Sequence, residues 1–535
     1  MEITGERTAD RLSPLAVVLL CIAVPALLRL ALLPVLPIPA PGVEDEFSYL
    51  LAADTFAQGR LANPALPLGA FFESFHVLVR PAYASMYQPG QGAFLAVGQV
   101  LFGHPWWGVF LSSALMRGAV AWLLLAWAPR RWALAGGLSF GLLFGLESYW
   151  INSYWGGAVP ALGGALAAGA ASRLCFPGRR PSGRPAANGA LLGLGGAILL
   201  FTRPWEGACL GAALAAWALW RIVRRDGEEA RRALLRAAVP AACVLAGAAL
   251  LLLRYDQRIT GNPWLPPYLL DLRTYYVAPL FLWQDEKPAP EYPTEIMRRF
   301  YTGWRVSEGS LRKAQGTRSP IVGLWMWIWG FKLAAGTVAA ALIAARLLRS
   351  SRSRELLLPL AIVLAALSVQ SVRQLHYLAP AVGLFVAVQV TGLRALATVR
   401  AGGRRLFRHL PLVVLLAAAV GSGRNVILAL KKDPLDLGER RARLVERLNG
   451  EPGRHLVLVR YGPDHSVHEE WVYNGADLDG AKIVFAHERT PEENTLLLGH
   501  FGSRRPWLLA PDGGDSLIPV AGAAPVRSRE RGTAR

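Results

Sequence analysis

Lysine, cysteine and acidic residues are all scarce in this 535-residue chain, and each scarcity excludes something. The four cysteines, Cys21, Cys175, Cys209 and Cys243, stand far apart in or beside apolar stretches, with neither CxxC nor metal-ligand spacing. That rules out a disulfide framework and a zinc ribbon. Charged residues make up only 18% of the chain and apolar ones 53%, against roughly 25% and 45–50% in soluble domains. A water-soluble globular protein of this length is therefore excluded. No Walker phosphate loop is present. Six of the 57 basic residues are lysine, so arginine carries the formal charge of +20. Such a surplus suits nucleic acid, an anionic membrane surface or membrane topology, and the placement of the arginines decides among them.

Apolar runs of bilayer-crossing length, about 20 residues, recur from Leu15 to about Leu430. They lie at 15–36, 91–128 (broken at Gly103-His104-Pro105), 132–149, 157–174, 188–202, 205–222, 234–253, 321–347, 356–372, 376–393 and 409–430. The expected fold is an all-α polytopic membrane protein with about eleven transmembrane helices. The first run is too long for a signal-peptide core and lacks a convincing cleavage site, so it is expected to stay as an anchor. Arginines then crowd alternate connections: Arg7 and Arg11, Arg130 and Arg131, Arg173 to Arg184, Arg221 to Arg232, Arg346 to Arg354, and Arg394 to Arg408. By the positive-inside bias these are cytoplasmic, which puts the N-terminus inside and the chain beyond residue 430 outside, in the periplasm or extracellular space. The basic surplus is thus topological, and the expected partners include membrane lipid and no nucleic acid.

The spans and two long outer loops, 37–90 and 255–320, make up an expected membrane domain over 1–431 of a bacterial-type inner (plasma) membrane. Beyond it the composition turns polar. Asp433-Pro434 predicts a helix start and Gly450 its stop, while HLVLVRY (455–461), KIVFA (482–486) and WLLA (507–510) predict short buried strands, with a helix over 491–500. These features predict a small α/β soluble domain over 432–520, docked on the outer face, followed by a disordered tail over 521–535. In the first outer loop Phe47–Phe56 predicts an amphipathic segment, and the second loop is rich in Tyr, Trp and Pro, as suits the membrane–water boundary.

Glu44-Asp45-Glu46 is the densest acidic cluster of the first outer loop. Three adjacent carboxylates near a low-dielectric boundary repel one another, so at least one should hold its proton more tightly, and an ionised neighbour can act as a general base. The same residues would equally suit the first turn of a helix over Phe47–Phe56, where negative charge is favoured.

Asp45-Glu46-Phe47-Ser48-Tyr49 reads Asp-Glu-x-x-Tyr, and about forty residues on Tyr87-Gln88-Pro89-Gly90 opens the second span. With the Arg/His-Tyr-Leu-x-Pro stretch from Arg373 to Pro380, the multi-span topology and the soluble outer tail, the chain resembles the GT-C superfamily. These are integral-membrane glycosyltransferases such as protein O-mannosyltransferases and the lipid A aminoarabinose transferase. The resemblance implies transfer of a sugar, with inversion, from a polyprenyl-phosphate-linked donor to a lipid, glycan or protein acceptor at the outer face of the membrane. It makes Asp45 the base on the acceptor, gives Glu46 a part in placing the acceptor or a cation, and sets Glu44 and Tyr87 beside the substrate. It implies no certain cofactor, leaves a divalent cation open and names no metal ligands. One departure matters: relatives often carry Lys or His just before the Pro-Pro that starts the second span, where this chain reads Ser85-Met86-Tyr87-Gln88-Pro89. The cation for the donor phosphate must then come from elsewhere, or the donor differs.

Arginine suits a leaving phosphate because its fork matches the oxygens. Arg203 (in Phe-Thr-Arg-Pro-Trp-Glu), Arg254, and Arg373 with His376 stand at outer ends of spans. Arg254 can instead snorkel to the interface, and Arg203 can pair with Glu206. Tyr154, within Asn152 to Gly157, is placed to stack on a sugar, although the glycines there also suit tight packing. Arg117 and Glu147 read as a structural pair inside the membrane, the glycines of 189–196 as a close helix approach, and Asp464-His465…His468-Glu469 as a solvated turn in preference to a metal site. Two other classes stay open: a lipid or polysaccharide transporter, which calls for repeated halves that are not found, and a non-catalytic cell-envelope scaffold.

Overall fold

A computed structural model describes residues 12–175, 184–224, 227–307, 351–371, 374–402, 404–407, 409–431 and 436–520. The chain opens with α1 (Pro14–Ala31), where the Ser13 side chain accepts from the amide of Ala16 at 3.0 Å and Pro14 takes the first helical position. After the outer helix α2 (Glu44–Ala57) come α3 (Pro89–Phe102) and α4 (Trp106–Trp127). The expected break separates them: Gly103, at φ 75°, ends α3 in the left-handed region that glycine tolerates. Then follow α5 (Arg130–Gly145), α6 (Ala158–Cys175), α7 (Pro185–Leu200), α8 (Pro204–Arg224), α9 (Gly227–Thr260), the short α10 (Pro267–Thr274) and α11 (Glu295–Arg298), α12 (Ser351–Leu367), α13 (Val382–Leu396) and α14 (Leu410–Ala429).

By length and composition, six helical stretches among the described residues are long and apolar enough to cross a membrane: α1, α4, α6, Arg231–Thr260 of α9, His376–Leu396 and α14. Helices also occupy the other expected spans, but α3, α5, α7, α8 and α12 fall short in length or apolarity, and 321–347 lies outside the described residues. About eleven spans is therefore more than the described helices supply by these measures. The helices α1, α4, α5, α6, α8, α12 and α13 share one apolar core that includes Cys21, Leu124, Leu162, Trp217, Val363 and Leu384. By contrast, only 17% of the apolar window of α9 and 22% of that of α14 is buried, faces that suit lipid contact. A 3-10 turn, Leu375–Ala381, leads into α13 and lies directly on α6: a Cβ at Gly164 would stand 1.8 Å from the carbonyl oxygen of Pro380. Gly164→Ala is expected to push this turn away and to cost about 1–3 kcal/mol, read as a lower melting midpoint in detergent. An unchanged midpoint would mean that the turn yields freely.

The outer loop and the C-terminal residues build one body. A three-stranded antiparallel sheet in the loop, β1 (Asn63–Pro64), β2 (Val77–Leu78) and β3 (Ala82–Ser85), runs in the order β1-β3-β2 with Val77 opposite Ser85. Farther along, α15 (Leu437–Gly450) is followed by β4 (His455–Val459), β5 (Ile483–His487), α16 (Pro491–His500), β6 (Arg505–Leu509) and β7 (Leu517–Pro519). The sheet order is β5-β4-β6-β7, with β4 parallel to both neighbours, so its unbroken run of buried apolar side chains is what a covered central strand needs. The cap of α15 is Asp436, whose side chain accepts from Glu439 at 3.1 Å; Asp433 and Pro434, expected to start this helix, lie outside the described residues, as does the expected tail 521–535.

Alternation along β4 splits the core in two. Val457 and Val459 pack with Leu444 and Leu448 of α15, whereas Leu456 and Leu458 pack with Phe47, Leu51, Phe71 and Tyr83 of the first outer loop. Phe47 stacks on Tyr473 at 4.4 Å, Asp54 accepts from the amide of Ala476 at 2.6 Å, and the Tyr83 hydroxyl donates to the carbonyl of Asn474 at 3.0 Å. The helix α2, expected to be amphipathic, is buried on nearly all sides instead, because membrane helices cover one face and this sheet the other.

Candidate active site around Asp45

The acidic cluster forms the first turn of α2, and its neighbours have opposite fates. Glu46, 4% exposed, folds back so that one carboxylate oxygen accepts from the amides of Gly42 (2.7 Å) and Val43 (3.2 Å) and the other from the amide of Tyr154 (2.9 Å). Burial pushes its pKa up to about 7 while the three N–H donors pull the other way. Its carboxylate is thus engaged in holding the loop. Tyr154 likewise is buried, with its hydroxyl donating to the carbonyl of Pro39 at 2.8 Å, so it pins the loop. Asn152 beside it accepts two bonds from the fully buried Arg29, at 3.1 and 2.8 Å. Glu46→Ala would orphan three amides and is expected to cost about 2–4 kcal/mol, seen as loss of folded protein in detergent. Recovery of normal yield and melting behaviour would contradict this role.

Asp45 turns the other way. It accepts a short hydrogen bond from the Tyr87 hydroxyl, and Nδ1 of His76 stands 3.5 Å from its Oδ1. Its side chain remains 21% exposed, so it can reach a substrate. Burial, followed by repulsion from Glu44, raises its pKa to about 7, against the pull of Arg305 and then Arg203. A carboxylate poised near neutrality is well matched to taking a proton.

Cations and rings from several separate stretches gather near it. Arg203, just before α8, lies over the Tyr377 ring at 4.6 Å. Arg305 follows the π turn Arg299–Trp304 and lies over the rings of Trp304 (4.5 Å) and Phe300 (5.2 Å). Tyr49 stacks on Tyr87 at 4.4 Å, and His376 packs edge-on to Trp155 (4.6 Å) beside Tyr377. His76, fully buried at φ 64°, bridges Tyr87 and Tyr276.

Of the residues expected at the site, Asp45, Glu44, Tyr87, Arg203 and His376 come together here. Arg254 does not: it is exposed on α9, as snorkelling to the boundary would require. Arg373 lies outside the described residues. Arg117, wholly buried, donates to Ser113 at 3.2 Å, away from the site. His76, Tyr276 and Arg305 were not expected, and no local pattern marks them. Among the described residues no group of three His, Cys, Asp or Glu side chains could hold a metal ion, and Glu46, the nearest carboxylate to Asp45 in expectation, is already saturated by amides. His465 too has both ring nitrogens engaged, by Asp512 (2.7 Å) and the carbonyl of Glu469 (2.9 Å). A cavity of about 410 Å³ opens elsewhere, between Pro293–Arg299 and the C-terminal sheet. Its carboxylates Glu295, Glu488 and Glu493 are each already paired with an arginine, Arg298, Arg460 and Arg489 respectively.

No protein-family model matches the sequence, and no curated protein is significantly similar to it. Solved structures are. ArnT from Cupriavidus metallidurans in the apo state is 15% identical, with 93% of each chain covered and a TM-score of 0.50. The same protein bound to undecaprenyl phosphate is 16% identical over 93% of each chain, with a TM-score of 0.48. The Archaeoglobus fulgidus oligosaccharyltransferase in complex with Zn and sulfate is 14% identical, with 83% of this chain covered and a TM-score of 0.46; the chain spans 60% of that protein's length. The likeness to the apo ArnT structure is one of fold: the chain is polytopic, with six described helical stretches long and apolar enough to cross a membrane and a C-terminal sheet beyond them.

Proposed function

We propose that the protein transfers a sugar from a polyprenyl-phosphate-linked donor to a lipid, glycan or protein acceptor at the outer face of the inner membrane, with Asp45 as general base. The observation that supports this reading is a partly exposed carboxylate, bonded to Tyr87 and beside His76, whose raised pKa is countered by the charges of Arg305 and Arg203. Asp45 takes the proton of the acceptor hydroxyl as its oxygen attacks the anomeric carbon. The bond from that carbon to the phosphate oxygen breaks, and the sugar inverts in a single displacement. Charge gathers on the leaving lipid phosphate, where Arg203 and Arg305 supply the cations that the second-span start lacks. In this reading the membrane domain covers 1–431 with its N-terminus in the cytoplasm, and the soluble unit over 432–520 lies in the periplasm.

The test uses the purified full chain in liposomes with a polyprenyl-phosphate sugar labelled in the sugar, given an extract of envelope lipids and glycans as acceptor. Label is expected to move covalently from the donor to an acceptor fraction. Label that crosses the bilayer while still attached to its donor would make the protein a transporter and overturn the proposal.

A further inference from the structure

We propose that His76 is a positioning residue that acts on Asp45 through Tyr87, with Tyr276 fixing which ring nitrogen carries the proton. This rests on the reading of Asp45 as the base. The imidazole is fully buried, with Nδ1 3.3 Å from the Tyr87 hydroxyl and Nε2 3.2 Å from the Tyr276 hydroxyl. Tyr87 in turn bonds to Asp45. The backbone holds the ring there from both sides, since the carbonyl of His76 accepts from the Ser48 hydroxyl at 2.7 Å and from the amide of Met86 at 3.1 Å.

The bonds have one consistent direction when Asp45 is ionised. A tyrosine hydroxyl carries one proton, and a neutral imidazole carries one. Tyr87 must give its proton to the carboxylate, which leaves its oxygen to accept from Nδ1–H. Nε2 is then bare and accepts from Tyr276. Three donors point one after another toward Asp45, and a carboxylate so served holds its negative charge more easily. The chain works only if the ring is neutral. Burial, then the charge of Arg305, pushes the His76 pKa well below its usual value, which keeps it so. The groups that face the array are Asp45 with Glu44 behind it from α2, Tyr87 before α3, Tyr276 after α10 with Asp271 and Tyr268 of α10 and Tyr377 behind it, and Arg305 beyond the π turn; Phe300 closes the remaining edge at 5.9 Å.

The two histidine nitrogens therefore have separate jobs, and variants can separate them. Asparagine presents its amide near the place of Nδ1, cannot reach Tyr276, and tolerates the left-handed backbone at φ 64°. Transfer rate against pH would be measured for the full chain in liposomes. In His76→Ala the acid limb is expected to move up by about one pH unit, a tenfold loss near pH 6, while the alkaline plateau stays within a few-fold of wild type. His76→Asn is expected to restore most of that shift. Tyr276→Phe, which touches neither Asp45 nor Tyr87, is expected to shift the limb in the same direction by less, and it carries the test if His76→Ala fails to fold. Acid limbs that overlay the wild type in Tyr276→Phe and in whichever His76 variant folds would overturn the assignment. The base reading itself fails by a different result, which is transfer by Asp45→Asn.

Discussion

Asp45→Asn is expected to lower sugar transfer by about 10²–10⁴-fold, the usual worth of a positioned general base, while the protein remains as stable as wild type or more so. The second half follows from the sign of the pKa shift. A carboxyl whose pKa rises on folding, here from 3.8 to about 7, binds its proton more tightly folded than unfolded, so its ionised form destabilises the fold above pH 7 and the neutral amide removes that burden. The wild-type rate should accordingly fall about tenfold per unit as pH drops through 7, because only the carboxylate can take a proton. Measuring transfer and melting midpoint on the same preparation separates the outcomes: a dead and unfolded variant would argue for a structural carboxylate, and a live one would remove Asp45 from the chemistry.

Arg203→Gln is the second large effect, expected at about 10²–10³-fold, as for loss of one preorganised group that meets developing negative charge. Its cation–π contact with Tyr377 would add about 0.5–1 kcal/mol of instability. Because Arg203 also pulls the Asp45 pKa down, its removal should move the acid limb to higher pH. Arg254→Gln provides the comparison: it removes the same charge from an exposed position on α9 and should leave both rate and limb in place. Equal loss in the two variants would mean that general membrane charge, and not a placed guanidinium, is at work.

Much of this could be read from the one-dimensional string, for physical reasons that differ by residue. The C-terminal strands were legible because a central parallel strand such as His455–Val459 is apolar from Leu456 to Val459, and α16 because Thr490 and Glu493 cap it reciprocally. The acidic cluster was legible as a candidate site but not as a division of contacts. Successive residues on a helix point about 100° apart, so only the orientation of α2 tells that Asp45 faces Tyr87 and His76 and Glu46 the backbone amides. Arg203 and Arg254 look alike at span ends, and the turn at Leu375–Ala381, which brings Tyr377 beneath one of them, is set by packing against Gly164. His76, Tyr276 and Arg305 were illegible because they come from three unrelated stretches that meet only after two outer loops fold onto each other.

The shared core of the first outer loop and the C-terminal sheet carries a consequence for how the protein is made. Tyr83 and Asn474, which bond across that core, are 391 residues apart. At roughly 5–20 residues per second, a ribosome needs about 20–80 s to deliver the second partner after the first. For that interval Phe47, Leu51 and Phe71 stand outside the bilayer without the strands that bury them. The nascent chain therefore presents a lasting greasy surface to whatever chaperones patrol that compartment, and the two ends of the protein complete their fold together.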